Sequence, residues 1–291
     1  MNAMNAQDIL PKLKAWFEDY VCQFFSEDPV VQKGIELKAE HTRRVCDVIV
    51  DIGETLDLSI EDLCMAEASG LLHDIGRFQQ YMQYRTFSDH RSVDHAALGV
   101  DVIKASRVLD GLVPAMADII VRVVRYHNRP FLPLGERDRC LFFLKLLRDA
   151  DKVDIWRVVT DYYKNAGQSR NLAIEMELPD IDQISDPVYE ALMNGQLVQM
   201  IDVKTLNDFK LLQIGWIYDV AFPRTFQIVR KKAYLELIRD ALPQGSVHAK
   251  EIYKRARTYL ERNSSTGQRV RPEPINDYEK ATKRSMSFSS K

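Results

Sequence analysis

The stretch Ser69-Gly70-Leu71-Leu72-His73-Asp74-Ile75-Gly76-Arg77 decides how this chain folds. An apolar run closes on a histidine and an aspartate. Ser69 and Gly70 are small enough for another helix to approach closely. An ionised carboxylate buried without a partner is strongly unfavourable, so an acid closing an apolar run calls for a salt bridge, a proton or a cation.

The same pattern recurs on four other helical segments. Around 29–57 the apolar stripe runs His41, Val45, Val48, Ile52, so His41 shares the core-facing side. Around 93–109 the stripe is His95, Leu98, Gly99, Val102, and around 114–127 it is Ile120, Val123, Val124, His127. Around 137–165 it runs Leu141, Leu144, Leu147, Asp151, Ile155, Val158, with a carboxylate where an apolar residue belongs. Each inward histidine alone reads as a satisfied core residue. Four histidines and two aspartates aimed inward together make a set suited to Fe, Mn, Co, Ni or Zn.

The rest of the chain is helical in period, with no alternating β-branched run. Asp28-Pro29 reads as an N-cap with proline at the first helical position, and Ser59 with Asp62 as a capping box. Gly76, Gly111 and Pro130 are read as ending the helices before them. Helices are predicted near 8–25, 29–57, 60–76, 93–109, 114–127, 137–165, 186–194, 204–220, 225–241 and 246–262. Gly167 to Asp186, with Pro179, is irregular. The expected architecture is one all-α domain over 1–262, with a core at about 35–165 and a C-terminal helical extension over 170–262. Residues 263–291 are serine-rich and basic and read as a disordered tail.

Composition narrows the partners. Among 291 residues, 40 Lys and Arg against 42 Asp and Glu leave a net charge of −2, which gives no global field for large nucleic acids. No window approaches the roughly 18 uninterrupted apolar residues of a membrane span. Met1 to Trp16 carries Asp8 and lacks the apolar run of a secretory leader. Cys22, Cys46, Cys64 and Cys140 form no Cys-x-x-Cys pair and read as buried free thiols. A cytoplasmic protein without membrane contact is expected.

In order and type, His41, His73-Asp74 and Asp151 resemble the HD-domain superfamily of metal-dependent phosphohydrolases. Leu71-Leu72-His73-Asp74-Ile75-Gly76-Arg77 is the most specific part of that resemblance, which covers roughly 35–160. It implies an HD-domain helical bundle. With His95 and His127 the chain looks like the dinuclear branch. The resemblance then implies one metal on His41, His73, Asp74 and Asp151, and a second on His95 and His127, with Asp74 as the bridge. The fourth position reads Tyr126-His127 rather than His-His, and no Gly-Tyr-Pro follows, which departs from the HD-GYP phosphodiesterases.

The implied activity is hydrolysis of a small phosphorylated molecule, nucleotides first, with one or two divalent transition metals and a metal-activated water. Arg77, where many relatives have lysine, is a candidate phosphate contact, or else a helix C-terminal charge. Phe78 to Arg91 reads as a lid or surface loop, with His90 and Arg91 near substrate. Lys152, beside Asp151, is a further candidate. Asp94 or Asp154 would orient histidines. The same six residues also resemble the diiron oxygenases of the superfamily, and a ligand-sensing module without turnover is the remaining alternative. Phe142, Phe143, Trp156, Trp216 and Tyr218 read as interhelix packing, and His248 as exposed.

Overall fold

In the computed structural model, residues 5–165, 171 and 174–264 are described. The described residues are all-α, with no strand element among them. They group into two compact units, one up to Arg148 and one from Asp149.

The first unit contains α1 (Ala6–Cys22), α2 (Pro29–Glu54), α3 (Ile60–Leu72), α4 (Gly76–Tyr84), α5 (His95–Ser106) and α6 (Pro114–Tyr126). It also holds the first part of α7 (Asp138–Lys164). Short polar side chains set the helix starts. The Asp28 carboxylate accepts the Val30 and Val31 N–H groups at 2.8 and 3.4 Å, with Pro29 first in the helix. The Ser59 hydroxyl accepts from Asp62 N at 3.1 Å and donates to the Asp62 carboxylate at 2.9 Å. Asp94 caps α5 through the Ala96 and Ala97 N–H groups.

α3 packs against α1, α2 and α6. Its surroundings are apolar, with Phe17, Ile49, Met65, Leu72 and Ile75 fully buried. His73 and Asp74 therefore emerge from α3 at the centre of the unit. Gly70 rests against Cys46 and Ile49 of α2, where a Cβ would still make ordinary contact at 3.5–3.7 Å. Gly76 has no such room: a Cβ there would lie 2.3 Å from the His95 carbonyl oxygen and 2.6 Å from Gly99 N. That close approach brings the His73-Asp74 turn beside the first residue of α5.

Gly76 consequently starts α4 instead of ending α3, which stops at Leu72. The segment read as a lid or loop is helical through Tyr84. Phe78 is buried within it, and Arg85 closes the helix in the left-handed region at φ 55°. Burial of Phe78 and Tyr81 outweighed the polar composition of this segment. Gly111, by contrast, turns the chain after α5 with φ 89°.

The second unit holds the remainder of α7, α8 (Asp186–Met193), α9 (Leu206–Gly215), α10 (Pro223–Lys232), α11 (Tyr234–Asp240) and α12 (Val247–Asn263). The helix predicted over 225–241 breaks at Ala233, where φ is 55°. Trp156 is fully buried, and its Nε1 donates to the Gln213 carbonyl at 2.8 Å. Asp208 is also buried; it completes a capping box with Thr205 and accepts from Ser185. α12 packs on α8, α9, α10 and α11.

All four cysteines are free, but Cys22 is exposed and Cys64 half-buried, so only Cys46 and Cys140 fit the expectation of buried thiols. Cys22 is the last residue of α1, and Cys64 lies just before the buried part of α3, which begins at Met65. No helix is long and apolar enough to cross a membrane among the described residues. Asn263 ends α12 and Ser264 caps it, and the tail expected over 263–291 otherwise lies outside the described residues.

Candidate metal centre

Five of the six inward residues converge inside the first unit. His41 comes from α2, His73 and Asp74 from the turn after α3, His95 from the start of α5 and His127 from the end of α6. All five are buried, none more than 7% exposed.

Asp74 stands between two histidine pairs. Its Oδ2 lies 3.6 Å from Nε2 of both His41 and His73. Its Oδ1 lies 3.3 Å from His95 Nε2 and 3.7 Å from His127 Nε2. Within each pair the Nε2 atoms approach to 3.3 Å (His41 and His73) and 3.0 Å (His95 and His127). Two ligand groups share Asp74, His41–His73–Asp74 and Asp74–His95–His127, both buried; a third, half-buried group is Asp89–Asp94–His95.

For His95 and His127 the outer ring nitrogens explain why the approach is not an ordinary hydrogen bond. His73 Nδ1 donates to the Gly70 carbonyl at 2.6 Å, and His127 Nδ1 to the Val124 carbonyl at 2.7 Å. His95 Nδ1 faces the Asp89 carboxylate at 2.7 and 2.9 Å. With the proton on Nδ1 of a neutral ring, Nε2 presents a lone pair. His95 and His127 thus aim two lone pairs at each other, an arrangement that a cation between them stabilises. Metal–nitrogen bonds of about 2.1 Å at right or tetrahedral angles place neighbouring ligand nitrogens about 3.0–3.4 Å apart. Donor types and spacings both fit a divalent transition metal.

Charge is arranged around the same carboxylate. Lys38 Nζ lies 2.8 Å from Asp74 Oδ2, and Arg77 Nε lies 3.4 Å from Oδ1. Burial opposes ionisation of Asp74, but Lys38, His73 and Arg77 outweigh it and hold its carboxyl well below the usual range. Burial, with the nearby Arg77 charge, lowers the pKa of His95 despite the opposing influence of the Asp74 and Asp89 carboxylates, so the ring is neutral and able to ligate. Asp89 is likewise held low: burial opposes its charge, but His95 and Arg77 prevail.

Arg77 is thus at the site, not simply a charge at a helix end. Its Nη1 is anchored by Gln80, the Phe87 carbonyl and Asp89, at 2.9, 2.5 and 2.9 Å. Its Nε is buried and has no hydrogen-bond partner.

The carboxylate that orients a ligand is Asp89, not Asp94 or Asp154. Asp94 is used as the α5 cap and as a partner of Asn128 and Arg129. Asp154 is buried in the second unit, 4.0 Å from Arg157. Sequence reading missed Asp89 because it lies in a polar loop segment. Lys38 escaped notice as one charged residue on a helix rich in charges. Its position one turn before His41 was the available signal.

The other candidates are placed differently. His90 and Arg91 are exposed on a short 3₁₀ turn. Lys152 is buried in the second unit and pairs with Asp219 at 2.5 Å. Asp151 also belongs to the second unit, is half-buried, and is in none of these ligand groups. The fully buried carboxylates of α7 are Asp149 and Asp154 instead. From Phe142 to Val153 α7 is buried on nearly every side, so an apolar stripe does not single out one inward face.

A search of curated proteins and of solved structures returns no match to the chain. The family model described as HD domain matches residues 39–156, a span that starts just before His41 and includes the His73-Asp74 doublet, His95, His127 and Asp151. The doublet at the centre of an all-α unit, the paired imidazoles around it and this match agree: residues 39–156 of the chain are an HD domain.

Proposed function

We propose that this protein is a metal-dependent phosphohydrolase acting on a small phosphorylated substrate, nucleotides being the first to test, and that it holds two divalent transition metals. The observation that carries the reading is the division of Asp74: each carboxylate oxygen faces its own pair of imidazole nitrogens. A single bridging carboxylate between two donor sets is what a pair of cations sharing one ligand requires.

His41 and His73 would hold one ion and His95 and His127 the other, with Asp74 between them. Bound there, the metals would activate a water and polarise a phosphoryl oxygen. The protein's own groups do the rest. The Gly70 and Val124 carbonyls fix the tautomers of His73 and His127. Asp89 does this for His95 and anchors Arg77.

Charge favours an anionic substrate. Without metal, Lys38 and Arg77 offset Asp74 and Asp89. Two divalent cations would leave the site strongly positive, and phosphoryl oxygens restore the balance. Arg77 Nε, buried without a hydrogen bond, and Lys38 are the donors placed to meet them.

Metal analysis of the purified full chain, with phosphate release from a panel of nucleotides and phosphoesters under Mn, Co, Ni, Fe or Zn, tests this reading. Two equivalents of metal and turnover are expected, and Asp74→Ala loses both. Metal-loaded protein inactive across the panel, or oxygen uptake with Fe and no phosphate release, would overturn it.

A further inference from the structure

A second cavity lies wholly within the second unit, between the C-terminal end of α8, the 3₁₀ turn Trp216–Asp219 and α12. Its volume is about 630 Å³, inside the range of roughly 300–1,000 Å³ typical of small-ligand sites. Three cations, Lys254, Arg255 and Arg262, and one acid, Glu251, line it. The acids nearby are engaged elsewhere. Glu261 lies 3.8 Å from Arg230 and 4.0 Å from Arg257, Glu236 lies 4.0 Å from Arg257, and Glu251 accepts from the Tyr189 hydroxyl at 2.7 Å. No ion pair joins the three cavity cations to a carboxylate among the described residues. Three cations against the single acid Glu251 leave this face of the helix with an excess of positive charge, which an anion relieves.

The wall beside these cations is aromatic. Tyr218 and Tyr259 meet edge to face, with ring centroids 5.1 Å apart. The Tyr218 hydroxyl is buried beside the Arg255 guanidinium but without a well-aligned hydrogen bond, a cost that a polar ligand atom would remove. Tyr218, expected from sequence to be packing, is thus part of a cavity wall. Asn194 and Thr258 add neutral polar groups. Cations suit phosphate oxygens, and a tyrosine face suits a flat heterocycle.

We propose that this cavity is a nucleotide-binding site separate from the metal centre: Lys254, Arg255 and Arg262 take the phosphates, and Tyr218 and Tyr259 pack on the base. The assignment uses no residue of the metal centre and stands whether or not the protein is a phosphohydrolase.

Equilibrium dialysis of the metal-stripped full chain in EDTA tests it, with ADP and GDP as probes and adenosine, ribose 5-phosphate and inorganic phosphate as fragments. At least one nucleotide should bind, and each fragment should bind at least about tenfold more weakly. Lys254→Gln with Arg255→Gln should weaken the nucleotide at least about tenfold, because charged contacts to phosphate are lost. Both side chains are exposed, so the fold should survive, and an unchanged thermal melt checks that. Tyr218→Leu should narrow the gap between nucleotide and ribose 5-phosphate. Asp74→Ala should leave binding unchanged. The proposal falls if neither nucleotide binds, if the double variant binds as well as the parent, if ribose 5-phosphate matches the nucleotide, or if Asp74→Ala abolishes binding.

Discussion

Two buried aspartates, one in each unit, meet opposite fates. Asp74 is 3% exposed and Asp149 fully buried. Burial penalises the ionised form of both. Around Asp74 the penalty is overcome by Lys38, His73 and Arg77. Around Asp149 the partners are mostly dipoles. The Lys152 charge is the largest counterweight, joined by Thr225 and by the Ala221 N–H, 3.1 Å from both carboxylate oxygens, and the Phe222 N–H, 3.0 Å from one. They do not suffice, and burial pushes the Asp149 pKa up to about 6. Similar burial thus yields a strong anion placed for cations in one unit, and in the other a carboxyl that ties down the start of α10.

Removing each aspartate should separate chemistry from architecture. Asp74→Ala should lower phosphate release by about a thousandfold or more and abolish stoichiometric metal binding. Loss of activity with both metal equivalents retained would break the idea that this carboxylate is the bridge.

Asp149→Ala should leave metal content unchanged and destabilise the fold by roughly 1–3 kcal/mol, since the buried Phe222 N–H and the part-buried Ala221 N–H lose their acceptor. Thermal unfolding with metal analysis on the same sample reads both effects. A neutral outcome would mean that water replaces the carboxylate.

Asp89→Ala sharpens the site side of the comparison. The His95 ring loses the acceptor at 2.7 Å that fixes its tautomer. Affinity for one metal equivalent should fall by about 10–100-fold while the other is retained. Titration with a chromophoric chelator would resolve the two.

The smallest effect is on pH dependence in metal-free protein, and its sign differs between units. The His95 pKa is lowered in the folded state, so unfolding takes up a proton, and the first unit loses stability as pH falls below the ordinary histidine value of about 6.5. Asp74 and Asp89 add to that loss once pH drops through the ordinary carboxylate range. Asp149 has the opposite sign. Its folded pKa of about 6 lies above the unfolded value, so its cost is fully present above pH 6 and is relieved as pH falls below it. Amide exchange at pH 7.5 and pH 5, corrected for intrinsic rates, should show protection falling in α2, α3 and α5 relative to α10. Parallel changes would remove the contrast.

Much of this was legible in the sequence. The 3.6-residue period gave the all-α class, and capping signals such as Asp28-Pro29 placed helix starts, because both are local properties of the chain. His41, His73, Asp74, His95 and His127 could be picked out because a titratable group on an apolar stripe is conspicuous without knowing what it touches. Tertiary packing decided the rest. Gly76 became a helix start because α4 and α5 approach too closely for a Cβ, and no local signal encodes that distance. Lys38 and Asp89, each an ordinary charge in sequence, matter only through the single carboxylate and imidazole they meet in space. On α7, which is apolar nearly all round, which acid is most buried was set by the surrounding helices, not by the period. Sequence fixes which groups cannot rest comfortably in a core, since that follows from their own solvation. Which partners make them comfortable is a matter of distances of 3–4 Å, and only the folded chain sets those.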